Sequence, residues 1–219
     1  MPDPLPPYER RVLGVLIEKQ KTSKSADAYP MTLNAITTGC NQKSNRDPVY
    51  ELDEDTVEET LAALQKKGLV MKMTGGRADR FRHLLYEEWK ATKTEMAVLA
   101  ELLLRGPQSE GDLRGRADRM EDIPDLDALR AMLTALAGRG QVLYLTEPNR
   151  RGTVVTHGFH TPDELERGEG PARRRGGRRR RPPPPPRAGL EARLAEAFDE
   201  IARLKERVTK LEERAGTHS

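Results

Sequence analysis

Asp53-Glu-Asp-Thr-Val57-Glu-Glu-Thr-Leu61-Ala-Ala-Leu64-Gln-Lys-Lys-Gly68-Leu-Val-Met-Lys-Met73 is the stretch that decides the fold. Asp53 is a residue type whose side-chain oxygen accepts a free backbone N–H at a helix start. Val57, Leu61 and Leu64 recur at helical spacing, which predicts a helix from Glu54 to Lys67 with one buried stripe. Gly68 supplies the stop. Leu69 to Met73 then reads as a strand, Gly75-Gly76 as a turn, and Phe81 to Leu85 as a returning strand. The same order recurs downstream. Asp125 precedes a helix carrying Leu126, Leu129, Leu133 and Leu136, and Gly140 ends it. Val142 to Leu145 reads as a strand, Pro148 to Gly152 as a turn, and Thr153 to Thr156 as the return.

Two further helices precede each of these blocks. Tyr8 to Gln20 carries Val12, Leu13, Leu16 and Ile17; its counterpart from Thr94 to Arg105 carries Met96, Val98, Leu99, Leu102 and Leu103. Thr32 caps a short helix with Leu33, Ala35 and Ile36, and Ser109 caps one with Leu113. Val12-Leu13 matches Val98-Leu99 at an offset of 86, Leu33 matches Leu113 at 80, and Leu61 with Gly68 matches Leu133 with Gly140 at 72. Falling offsets mark an internal repeat in which the first copy is longer. They place six extra residues before its second helix and eight in the Cys40–Leu52 region. Helix, helix, helix, strand, turn, strand is the order of a winged helix. The expected fold is therefore mainly α with small β wings: tandem winged-helix domains at 1–87 and 88–160.

The chain then changes character. A linker over 161–189 holds Arg173, Arg174, Arg175, Arg178, Arg179, Arg180 and Arg181, followed by Pro182 to Pro186. Such composition cannot bury apolar area, so disorder with polyproline II character is expected. Over 190–215, Leu190, Leu194, Ala197, Ile201, Leu204, Val208 and Leu211 alternate spacings of four and three, a heptad seam. It predicts a C-terminal coiled-coil helix and a homodimer. A helix packed back on its own body is the other reading.

Composition narrows the function. Of the 219 residues, 33% are charged and 4% aromatic, so the core is aliphatic. One cysteine excludes an intramolecular disulfide framework and suits a reducing cytosol. The N-terminus lacks the charged and apolar regions of a signal peptide. No apolar run approaches the roughly 18 residues that span a bilayer. The expected location is cytoplasmic, without membrane contact. The net charge of +3 is uneven: residues 171–219 hold 14 basic and 7 acidic side chains, leaving 24 basic and 28 acidic in residues 1–170. An acidic body is poorly suited to duplex DNA, where neutralising phosphates supplies much of the affinity.

The segments Glu9-Arg10-Arg11-Val12-Leu13-Gly14-Val15-Leu16-Ile17-Glu18-Lys19, Tyr29-Pro30-Met31-Thr32-Leu33-Asn34-Ala35 and Cys40-Asn41-Gln42-Lys43-Ser44-Asn45-Arg46-Asp47-Pro48-Val49 resemble the YceH family of uncharacterised bacterial proteins. So do Leu102-Leu103-Leu104-Arg105-Gly106-Pro107-Gln108 and Leu113-Arg114-x-Arg116-Ala117. The resemblance covers the first 160 residues and implies tandem winged-helix domains, but no activity. The Arg/Pro linker and heptad tail look like additions to the family pattern.

Catalytic chemistry finds little footing. Cys40 has no histidine near it in sequence, and a small buried helix-end residue is the simpler reading. His157-x-x-His160 is too sparse for a metal site, and Gly75-Gly76 is a turn rather than a phosphate loop. No enzyme activity, metal or cofactor is expected. Nucleic acid is the stronger candidate, although both third helices open with acids. The candidate contacts are Lys72, Arg77, Arg80 and Arg82 in the first wing and Arg150 and Arg151 in the second. To these the polar loop adds Lys43, Ser44, Asn45 and Arg46, which otherwise lock an irregular turn. The linker arginines can neutralise phosphates without reading sequence. Weak, salt-sensitive nucleic-acid association is thus the expected role. A protein-interaction scaffold with acidic surfaces is the alternative.

Overall fold

The computed structural model describes residues 2–76, 78–148 and 150–166, all within the compact unit Met1–Arg175. The expected coiled-coil helix at 190–215 and the linker beyond residue 166 lie outside the described residues.

The first copy runs α1 (Pro7–Thr22), a 3-10 turn (Ala26–Ala28), β1 (Met31–Thr32), α2 (Leu33–Cys40), α3 (Glu54–Lys66), β2 (Val70–Met73) and β3 (Arg80–His83). A short helix, α4 (Leu85–Trp89), straddles the boundary expected between residues 87 and 88. The second copy runs α5 (Lys93–Arg105), β4 (Gln108–Ser109), α6 (Glu110–Ala117), α7 (Leu126–Gly138), β5 (Val142–Tyr144) and β6 (Val154–His157), followed by α8 (Pro162–Glu166). The protein is mainly α with small antiparallel sheets. Each copy closes one three-stranded sheet, in orders β1-β3-β2 and β4-β6-β5. The two-residue strands β1 and β4 are too short for sequence periodicity to reveal.

Local chemistry sets the helix ends. Asp53 Oδ1 accepts from Thr56 N at 2.8 Å and Asp125 Oδ1 from Ala128 N at 2.7 Å. Thr32 and Ser109 cap α2 and α6 in the same way, at 3.3 and 3.2 Å. Gly68 and Gly140 both take φ of 71°, the left-handed conformation that ends α3 and α7 without a Cβ penalty. The start of α5 differs from expectation: Thr92, not Thr94, is the cap, and Glu95 completes a capping box.

Two repeat assignments are corrected. The second helices start at Leu33 and Glu110, 77 apart, so Ile36 rather than Leu33 is the counterpart of Leu113. Matching leucine to leucine slips the register by about one helical turn. Thirteen residues join α2 to α3 and eight join α6 to α7, so the first copy's elaboration there is five residues, not eight. The onset of the linker is also corrected. Pro162–Glu166 is helical, and Thr161 and Glu164 form its capping pair: Thr161 N donates to Glu164 Oε2 at 2.8 Å and Glu164 N to Thr161 Oγ1 at 3.3 Å.

Both copies share one continuous core, organised on α1 and α5. Spacing predicts one apolar stripe on α1, yet Glu9 to Glu18 are all buried, as are Glu95 to Leu104 of α5. Each central helix is covered along its buried length, because the other copy packs on the face that its own copy leaves open. Gly14 is where they approach: a Cβ there would stand 2.8 Å from the Leu104 side chain and 3.5 Å from the Ala100 carbonyl. Gly14 and Ala100 are equivalent positions at the offset of 86, so the two copies meet at matching points.

Candidate functional site

The polar loop that follows α2 is tied down at Asn41 and from Asn45 to Pro48. Asn41 bridges it from within, donating from Nδ2 to the Leu52 carbonyl at 2.7 Å and accepting from Leu52 N at 2.8 Å. The Arg46 side chain is fully buried. Its guanidinium pairs with Glu18 at 2.6 Å and donates to the carbonyls of Gly39 at 3.0 Å and Asn45 at 2.9 Å. Asn45 sits at φ 61°, a region open to asparagine, and its side chain accepts from Arg105 of α5. Asp47 N donates to the Leu104 carbonyl at 3.0 Å. Arg46 is therefore withdrawn as a contact for an outside partner, since a buried, paired guanidinium cannot reach one. Lys43 and Ser44 remain exposed.

Sequence reasoning missed the charges behind this loop. Arg119 of the second copy reaches Glu18 at 3.1 Å and Glu101 at 3.2 Å, while Arg105 pairs with Glu101 at 2.6 Å. Arg11 donates to the carbonyls of Cys40 at 2.9 Å and Pro48 at 2.5 Å, and stacks 4.5 Å from the Tyr50 ring centroid. Buried charges survive only when paired in this way. One signal was available: Glu101 stands between Ala100 and Leu102 in an otherwise apolar run.

Cys40 is fully buried, and burial pushes its thiol up to about 12 against the opposing influence of Arg11 and Arg46. A protonated, enclosed thiol is no nucleophile at neutral pH. Its near groups are arginines, not a histidine. The histidines serve elsewhere. His83 and His157 end β3 and β6, and each accepts on Nδ1 from a backbone N–H two residues on, at 3.4 and 3.3 Å. His83 Nε2 therefore carries the proton and donates to Gln20 at 2.7 Å. His157 and His160 lie ring against ring, centroids 4.2 Å apart. Among the described residues no group of three or more His, Cys, Asp and Glu is placed to hold a metal. A cleft of about 450 Å³ lies over the stacked Trp89 and Phe159 rings, lined also by Leu5, Lys67, Lys90 and Arg139. Lys67 and Arg139 are engaged with Glu9 and Glu95 at 2.6 and 2.7 Å.

The cations of the two hairpins mostly have partners among the described residues. Arg80 donates to the carbonyls of Asp27 at 2.6 Å and Pro30 at 2.8 Å, which fixes the 3-10 turn against β3. Lys72 pairs with Asp79 at 2.6 Å, Arg82 meets the Met71 sulfur at 3.6 Å, and Arg150 pairs with Glu147 at 2.6 Å. Arg151 is exposed. Arg77 and the cluster Arg173–Arg181 lie outside the described residues. The outward face of α3 carries Glu54, Asp55, Glu58 and Glu59, all exposed. The matching positions of α7, at the offset of 72, are Leu126, Asp127, Arg130 and Ala131, where Arg130 pairs with Asp127 at 3.4 Å and Glu110 at 3.0 Å, so the run of four carboxylates is not repeated.

This arrangement defines a class: a mainly helical protein of two repeated units, with buried ion pairs inside the units and between them. A family model described as "Protein of unknown function, DUF480" matches residues 5–153. The chain belongs to this family. It is 44% identical over 164 residues to a UPF0502 protein of Rhodopirellula baltica, covering 74% of this chain and 68% of that one. It is 48% identical over 145 residues to a UPF0502 protein of Geotalea daltonii, covering 66% of each. With a UPF0502 protein of Pelobacter propionicus it shares 39% identity over 206 residues, 94% of this chain and 89% of the other. That last match runs well past residue 166, so the tail is not an addition peculiar to this chain. No helix among the described residues is long and apolar enough to cross a membrane.

Proposed function

We propose that the chain is a non-enzymatic cytosolic adaptor of two winged-helix domains that docks protein partners, with α3 as the principal contact. The helix order and the three-stranded sheet in each copy support the winged-helix assignment. One observation carries the functional reading. In a winged helix the third helix is the element that enters a DNA groove, and here its outward face bears Glu54, Asp55, Glu58 and Glu59. Four carboxylates facing phosphate are repelled, whereas a basic protein surface complements them. A pull-down from nuclease-treated lysate tests this. Wild-type protein retains a partner, and the charge-reversed quadruple variant E54K/D55K/E58K/E59K loses it. Loss of the wild-type partner on nuclease treatment overturns the reading.

Nucleic-acid association through the linker is the second reading, favoured by eight arginines between Arg173 and Arg187 without an acid among them. Filter binding across a salt titration compares the full chain with residues 1–170, and equal binding refutes the linker's role. The dimer proposed from the heptad seam fails if light scattering finds both forms monomeric.

A further inference from the structure

The start of α1 and the end of the polar loop bring two sets of exposed apolar residues together. Pro6, Pro7 and Tyr8 come from one, and Pro48 and Val49 from the other, with the half-buried Tyr50 beside them. The Tyr8 and Tyr50 rings meet edge to face, centroids 5.3 Å apart at 86°. Tyr8 keeps 42% of its surface in solvent and Val49 keeps 50%, while Tyr50 is half-buried and packs against the core. Tyr50 is propped from beneath by the buried Arg11 guanidinium, which also holds the Pro48 carbonyl. The rings are thus held in place before anything binds, which lowers the ordering cost of association. Exposed carboxylates flank the surface in sequence: Asp47 before Pro48 and Glu51 after Tyr50.

Aromatic rings held open at a surface suit a polyproline II strand. Its backbone makes no internal hydrogen bonds, its shape is preformed, and its pyrrolidine rings pack on aromatic faces. Flanking acids add a preference for arginine, whose guanidinium binds carboxylate in two-point fashion. We propose that Tyr8, Val49 and Tyr50 form a docking site for an extended proline-rich segment flanked by arginine and supplied by another protein chain. This rests on the adaptor reading and names one class of partner for it. The chain's own Arg178–Arg187, Arg-Arg-Arg-Arg-Pro-Pro-Pro-Pro-Pro-Arg, has the same chemistry and supplies the probe sequence.

The test is fluorescence polarisation of a labelled peptide of that sequence against the full chain. The peptide binds, and Tyr8→Ala weakens it about ten-fold, the scale of one well-placed aromatic anchor, at unchanged melting temperature. A control peptide with glycine and serine in place of the five prolines also binds about ten-fold more weakly. Absence of binding, equal binding of the control, or indifference to Tyr8→Ala overturns the proposal. A full chain with Pro182–Pro186 replaced by glycine and serine separates the sources. If its affinity for the peptide rises five-fold or more, the chain occupies its own surface and supply by another chain is overturned. If the peptide fails while capture through α3 persists, this inference falls alone; if capture fails while the peptide binds, the α3 reading falls alone.

Discussion

The connection between second and third helices is thirteen residues in the first copy and eight in the second. The shorter one is held at the surface and also across the repeat: Arg114 donates to the carbonyls of Ile123 at 2.9 Å and Pro124 at 2.6 Å, Asp118 accepts from Ile123 N at 3.0 Å, and Arg119 and Glu121 reach Glu18 at 3.1 Å and Lys21 at 2.9 Å in the first copy. The longer one is held from inside. Arg46 turns into the core toward Glu18, Asn45 reaches Arg105, and Asp47 reaches Leu104. Extra residues cost entropy to order; here Arg46 anchors them in the core of its own copy, while Asn45 and Asp47 cross to the other. A polar, irregular insertion that looks like a ligand loop in sequence is, at Asn45 and Asp47, part of the joint between the repeats.

The largest expected effect separates these two connections. Arg46→Met leaves the Glu18 carboxylate and the Gly39 carbonyl without their buried partner and lowers stability by about 3–5 kcal/mol in urea unfolding. Arg114→Met removes half-exposed hydrogen bonds and costs about 1 kcal/mol. Equal costs would show that the first loop is no more anchored in the core than the second.

Acid sharpens the comparison at the strand ends. Burial, then Lys21 and Arg82, hold His83 down from 6.5 to about 4, and burial with His160 and Arg10 holds His157 well below 6.5. Both are neutral in the native state, while the unfolded chain takes up protons near 6.5. Below that pH the unfolded state binds more protons, so stability is full above 6.5 and falls as acid is added. For His83 the loss is complete near pH 4, amounting to roughly 3 kcal/mol. Unfolding free energies from pH 7 to 4 should decline, and His83→Gln should flatten the slope. A slope unaltered by that change assigns the loss to other groups.

Glycines in the second helices should respond with opposite sign. A Cβ on Gly39 would stand 2.6 Å from Val15 Cγ1, so Gly39→Ala overpacks the joint with α1. The clash exceeds the helix-propensity gain, and a net loss of about 1–2 kcal/mol is expected. Gly115 in α6 meets nothing within 4 Å, so Gly115→Ala gains about 0.5–1 kcal/mol. Thermal melts of both read the difference. The smallest contrast is none at all: Thr32→Ala and Ser109→Ala remove equivalent caps and cost about 1 kcal/mol each.

Much of the architecture was legible because it rests on local signals. Asp53 and Asp125, Thr32 and Ser109, Gly68 and Gly140 mark helix ends with neighbouring atoms alone, and the leucine spacing between them is periodic. The register of α2 against α6 was misread, because an eight-residue helix offers too few apolar positions to align. Helix α8 was passed over because Thr161 and Glu164, a capping pair in sequence, stand at the edge of an arginine-rich stretch. Of the candidate contacts, Lys43, Ser44 and Arg151 stay exposed, while Arg46 and Arg80 are spent on carbonyls and a carboxylate. Whether a surface arginine is free depends on which carbonyls the fold aims at it, and spacing carries no record of that.

The sequence by itself determined the order of the main helices and hairpin strands, that the pattern occurs twice, and that the outward face of the first third helix is acidic. Capping, periodicity and charge act within a few residues, so they can be read in a line. Only the tertiary structure decided that α1 and α5 cross at Gly14, that Glu18 and Glu101 are interior charges held by arginines from both copies, and that Tyr8 and Tyr50 meet at the surface. Most of these depend on residues tens of positions apart being brought within a few ångströms, by the packing of one copy on the other at Gly14 and between Arg119 and Glu18, and by the folding of the first copy on itself at Tyr8 and Tyr50.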